Sequence, residues 1–197
     1  MKTVFTSILM MVCSTTLLGA ELSERAVAFT NEFSLVANPS AEDRVSFSPS
    51  FLNRTNAIDV GVWTISPAEQ SPTSAIPGLD SSPVFTFSIV GTNDSQRAMG
   101  RVSVEESQES ARINALNRIT VGTMDIDDVF ELSQVATNQT GFVVSIFPIG
   151  SLPTNATSRP ESVMLVRANG WLELSTDTEA DIVEMAADIS NSLFVDE

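Results

Sequence analysis

The chain has no histidine and no tyrosine, its one lysine is Lys2, and its one cysteine is Cys13, so beyond Ala20 all four residue types are missing. Each absence removes a chemistry. A serine hydrolase triad needs an imidazole to shuttle the proton, and the Ser-Lys variant needs an amine. Cysteine proteolysis, thiol redox exchange, Schiff-base formation and zinc held by His or Cys fall with them. The nine glycines form neither a P-loop nor a dinucleotide-binding pattern, which removes the usual phosphate cradles. What remains for chemistry is carboxylate, guanidinium, amide, hydroxyl and two tryptophans.

Residues 1–20 place one positive charge before an apolar stretch from Val4 to Leu18 and end on Gly19-Ala20, just ahead of Glu21. This layout predicts a secretory signal peptide. An uncleaved anchor is the competing reading, because Leu18 is larger than the residue preferred two places before a cleavage site. A lipoprotein is set aside, since Met11-Val12 supplies no small residue before Cys13 and the apolar run continues past it. The expected location is secreted or periplasmic, with no membrane attachment after signal cleavage. Without Cys13 the mature chain has no disulfide, so its stability must come from an ordinary packed core.

Formal charge is −15, and removal of Lys2 makes it one unit more negative. The nine arginines are scattered from Arg25 to Arg167, with no two closer than Arg97 and Arg101. No basic stripe results, and nucleic-acid binding is excluded on that ground. Acidity of this kind serves solubility first, and attraction of cations or basic partners second. The hydrophobic fraction of 43%, with eleven Phe, is ample for one core. The sequence therefore predicts a single globular domain over 21–197.

Leu22, Ala26, Phe29, Phe33 and Val36 share one face of a predicted helix that stops at Asn38-Pro39. Alternation then suggests strands over Val45 to Phe51 and Ile58 to Val62, with Pro49 marking an edge or bulge. Residues 66–83 hold four prolines among Ser and Thr and read as a long loop. Val84 to Val90 and Met99 to Val104 read as a strand pair. Ala111, Ala115, Leu116 and Ile119 give a helix from Glu105 onward, and Ile126, Val129, Phe130 and Ser133 a second short one over Asp125 to Ala136. Phe142 to Phe147 is a strand again. Val163 to Arg167 and Trp171 to Leu174 flank Asn169-Gly170, the residues a tight hairpin turn prefers. Thr176 with Glu179 forms a capping box for a last helix, striped by Ile182, Ala186, Ile189 and Leu193. This order of elements predicts an α+β fold with a mainly antiparallel sheet packed by an N-terminal and a C-terminal helix.

The closing strand, turn, strand and helix, ending Ile189-Ser190-Asn191-Ser192-Leu193-Phe194, is similar to the end of the PsbP-like fold, a family of extracytoplasmic and thylakoid-lumen accessory proteins. The likeness spans about the last forty residues, and any hairpin packed under a terminal helix shares it. It implies a non-catalytic accessory role and transfers no residue assignment.

Among site candidates, Asp125, Asp127, Asp128 and Glu131 are dense enough in oxygen to hold Ca²⁺, although the Gly of an EF-hand is missing and Val129 occupies a ligand position. The same acids suit the N-terminus of a short helix, as Asp177, Glu179 and Asp181 suit the last one. No other cofactor is expected. Trp63 and Trp171 could stack on a sugar or peptide, though Trp at strand positions more commonly packs a core. Asn53, Asn93, Asn138 and Asn155 open N-glycosylation triplets, meaningful only in a eukaryotic secreted protein. Paired carboxylates could also hydrolyse glycosides or peptides. The sequence thus favours an acidic extracytoplasmic binding or accessory module, with a protein or surface as partner. A carboxylate-dependent hydrolase, with or without bound Ca²⁺, is the alternative.

Overall fold

Alternating polarity along a strand buries one face of an antiparallel sheet and leaves the other to water; uninterrupted apolar runs need cover on both sides. The chain contains both kinds of strand. The computed structural model describes residues 31, 43–52, 55–71, 82–91, 96–123, 129–136, 139–145, 162–176 and 181–197. Its elements are β1 (Val45–Phe47), α1 (Pro49–Leu52), β2 (Ile58–Val60), β3 (Trp63–Ile65), β4 (Glu69–Gln70), β5 (Phe85–Gly91), β6 (Arg97–Val104), α2 (Gln108–Thr123), β7 (Val129–Ala136), β8 (Gln139–Ser145), β9 (Ser162–Arg167), β10 (Gly170–Ser175), α3 (Ile182–Leu193) and β11 (Phe194–Asp196).

Nine strands form one sheet in the order β2-β3-β5-β6-β10-β9-β8-β7, with β4 pairing β5. Every pair is antiparallel. A separate two-stranded sheet joins β1 to β11. The fold is α+β and rich in strands.

The central hairpin explains how the helices are placed. In β9, Val163 and Leu165 point to one side and Met164 and Val166 to the other, and all four are buried. Ile182, Met185, Ala186, Ile189 and Leu193 of α3 cover the first side, joined by Trp63, Ile65, Phe87, Ile89 and Phe194. Ala111, Ala115 and Ile119 of α2 cover the second, against Trp171. Each fully buried Ile, Leu or Met stabilises this packing by roughly 1.5–3 kcal/mol. On β6, Met99 and Arg101 stay exposed on the α2 side, where the sheet meets solvent beyond the helix.

Several sequence expectations need correction. The segment expected to be helical over Asp125 to Ala136 contains β7, whose ladder with β8 fixes its backbone as extended; strand pairing outweighs the local helical spacing. Phe51 lies in the helical turn α1, not in a strand, and Pro49 opens that turn, where its fixed φ is welcome. α3 starts later than the Thr176-Glu179 box: its N-cap is Asp181, whose side chain accepts from Glu184 N. Thr176 Oγ1 instead donates to Arg97 O. The loop over 66–83 carries β4, and residues 72–81 are outside the described set. The expected helix over 21–37 lies outside it too, apart from the helical Asn31. The described helical cover of the sheet comes from α2 and α3, with Phe51 of the short α1 packed on Phe87.

The hairpin turn forms where expected but is built differently. Arg167 pairs with Gly170, so the loop residues are Ala168 and Asn169, and Ala168 carries the positive φ of 48°. Gly170 is a strand residue needed for close approach: a Cβ there would sit 2.7 Å from Phe194 Cε1.

Candidate functional site

Polar groups concentrate around the β9–β10 hairpin, one set on each face. On the α2 side, Glu105 follows β6 and is 5% exposed. Its Oε1 accepts from Trp171 Nε1 at 2.8 Å. Its backbone N–H donates to Asn169 O at 2.8 Å, and its carbonyl accepts from Asn169 Nδ2 at 2.9 Å. Asn169 Oδ1 accepts from Val45 N at 2.7 Å, which attaches β1 to the turn. One buried amide thus joins three segments and satisfies backbone groups that burial would otherwise strand.

Glu173 stands two residues beyond Trp171 on the same face of β10. Its Oε2 accepts from Arg101 Nη1 at 3.3 Å and from Arg118 Nη1 at 3.4 Å. The Arg118 guanidinium lies 4.4 Å from the centre of the Trp171 ring, a cation over an aromatic face. Burial lowers the Arg118 pKa; Glu173 opposes that shift, Arg101 adds to it, and Glu105 opposes it weakly. Burial likewise lowers Arg112, against Glu109. Two acids and two arginines therefore converge between α2 and β10. Both acids are already acceptors for their own chain.

On the α3 side, Arg167 is 7% exposed and its Nη2 donates to Asp196 Oδ1 at 2.6 Å. Gln139 Nε2 donates to Asn191 Oδ1 at 2.9 Å. Asn191 belongs to the C-terminal turn of α3, next to the buried Ser190, and Asp196 to β11.

The residues singled out in the sequence are distributed unevenly. Trp63 and Trp171 are 3% and 1% exposed and sit on opposite faces of the sheet, so neither ring presents a face to solvent and the two do not form one platform. Asp125, Asp127 and Asp128 lie outside the described residues; Glu131 is in β7, opposite Val143. Asn53, Asn93, Asn138 and Asn155 are also outside the described set. Among the described residues no three acids gather as a metal site, and no helix is long and apolar enough to cross a membrane. Sequence reasoning missed Glu105, Arg118, Asn169, Glu173, Arg167 and Gln139. Only Asn169 carried a signal, through its turn propensity.

Comparison with family models, curated proteins and solved structures finds no match. The resemblance to the PsbP-like fold expected from the closing segment gains no support from them.

Proposed function

We propose that this is an extracytoplasmic, acidic, non-catalytic binding or accessory module whose partner is a protein or a surface. The observation that supports it is the use of buried Glu105 and half-buried Glu173. Glu105 holds the Trp171 indole and Glu173 holds two arginines. A general acid or nucleophile must present its oxygen to substrate, and here Glu173 Oε2 fastens α2 to the sheet while Glu105 Oε1 ties the segment before α2 to β10. Most other carboxylates among the described residues, such as Asp59, Glu69, Asp181 and Glu184, are exposed and suited to keeping the protein soluble and repelling anionic surfaces.

The test has two arms. Intact mass of the protein recovered from a secreting host reports signal removal and any glycan together; a mass that retains residues 1–20 overturns the extracytoplasmic placement. Incubation with aryl glycosides and with an unstructured protein such as casein, with and without millimolar Ca²⁺, is expected to give no turnover above buffer. Turnover that disappears in a folded Glu105→Gln or Glu173→Gln protein establishes the carboxylate hydrolase instead.

A further inference from the structure

Four polar atoms on the α3 side of the sheet are buried without a hydrogen-bond partner. Trp63 Nε1 lies on β3, four strands from β9 in the sheet order, whereas Arg167 Nε, Gln139 Oε1 and Ser190 Oγ come from β9, β8 and α3, which are neighbours. Thr140 of β8 pairs with Val166 of β9, which places Gln139 across from Arg167 on neighbouring strands. Both side chains face α3, since Arg167 follows the register of Val163 and Leu165, and Gln139 bonds to Asn191 on that helix. Ser190 precedes Asn191 and is fully buried.

The chemistry of the three atoms is complementary but incomplete. Arg167 Nε is a donor only, Gln139 Oε1 an acceptor only, and Ser190 Oγ either. The side-on edge of the guanidinium, formed by Nε and Nη2, is half used: Asp196 takes Nη2 and leaves Nε. A buried donor left unmatched costs about 1–3 kcal/mol, and the residues involved are 93% or more buried, with Gln139 at 2% and Ser190 at 0% exposure. We infer that an internal water molecule occupies this position, accepting from Arg167 Nε and bridging it to Gln139 Oε1, Ser190 Oγ or both. A water with two to four polar partners is the ordinary means of completing such a cluster. A larger guest is disfavoured by tight packing next door, where a Cβ at Gly141 would run into Leu165 and Val135. The water would tie β8 and β9 to the last turn of α3, just before the chain enters β11.

A high-resolution crystal structure of the whole protein tests this directly. The expected result is a single ordered solvent peak within hydrogen-bond distance of Arg167 Nε and of at least one of Gln139 Oε1 and Ser190 Oγ. Three outcomes overturn it: Asp196 turned to grip Nε and Nη2 together, Gln139 Oε1 bonded directly to Nε, or solvent touching only one of the three atoms.

Discussion

The indole of Trp171 and the carboxylate of Glu105 meet across 2.8 Å in the core, and this bond anchors the segment that leads from β6 into α2. Because Glu105 also exchanges backbone bonds with Asn169, the side-chain contact closes a ring of interactions from β6 through the hairpin turn to β10. Replacing Glu105 with Ala strands the buried N–H and is expected to cost about 1–3 kcal/mol. Glu105→Gln keeps an acceptor oxygen and should cost clearly less. Urea denaturation of the two variants decides; equal losses would show that the indole bond is not what Glu105 contributes.

Asn169 offers a sharper contrast. Asn169→Ala removes the partner of Val45 N and of the Glu105 carbonyl together, and a loss on the order of 2–3 kcal/mol follows. Asn169→Asp keeps the acceptor for Val45 but sets a carboxylate oxygen against the Glu105 carbonyl. Burial and that contact raise the folded pKa of the new acid above its unfolded value near 3.9. Its penalty is therefore absent below the unfolded pKa and grows as pH rises through the folded one. Unfolding curves at about pH 4.5 and pH 7, each against the parent protein, should show the larger deficit at pH 7. A deficit independent of pH would mean that the side chain has turned out to solvent.

Gly100 and Phe87 face each other across β6 and β5, and a Cβ on Gly100 would clash with the Cε2–Cζ edge of the Phe87 ring. Gly100→Ala is expected to cost about 1–3 kcal/mol through overpacking. Phe87→Ala costs about 3–5 kcal/mol alone. The double variant should lose less than the sum of the two, with a coupling of about 0.5–3 kcal/mol. Strict additivity would show that the ring moves aside at no cost.

The strands and helices that were readable in the sequence are those whose period is reinforced locally. The stripe Ile182, Ala186, Ile189, Leu193 needs only a helix to become a buried face, and all four residues are buried in α3. Ala111, Ala115 and Ile119 behave likewise in α2. β7 was misread because its strand character comes from pairing with β8, a partner that local spacing does not reveal. The same holds for the polar clusters. Glu105 and Trp171 are 66 residues apart in the chain, and Arg118 and Glu173 are 55 apart, so nothing in their neighbourhoods announces the contact. The absence of His and Tyr, and of Lys and Cys beyond Ala20, could be read at once because composition needs no fold. It restricted any site to acids, arginines, amides and Trp, which are the residue types that meet beside α2.

Arg118 tests whether the pair it makes with Glu173 stabilises the fold or is merely tolerated. Burial depresses its pKa before Glu173 restores part of it, so desolvation is the larger effect on the cation. Arg118→Met retains an apolar stem over Trp171 and leaves Glu173 with Arg101, and is expected to change stability by less than about 1 kcal/mol in either direction. Glu173→Leu is different: it leaves Arg118 half-buried beside Arg101, whose charge already disfavours it. It should cost more than Arg118→Met, and the double variant should recover part of that loss, because a pair replaced by apolar groups no longer strands a charge. Urea denaturation of the three variants gives the order. If Arg118→Met proves the costlier single change, the cation over Trp171 outweighs its own desolvation.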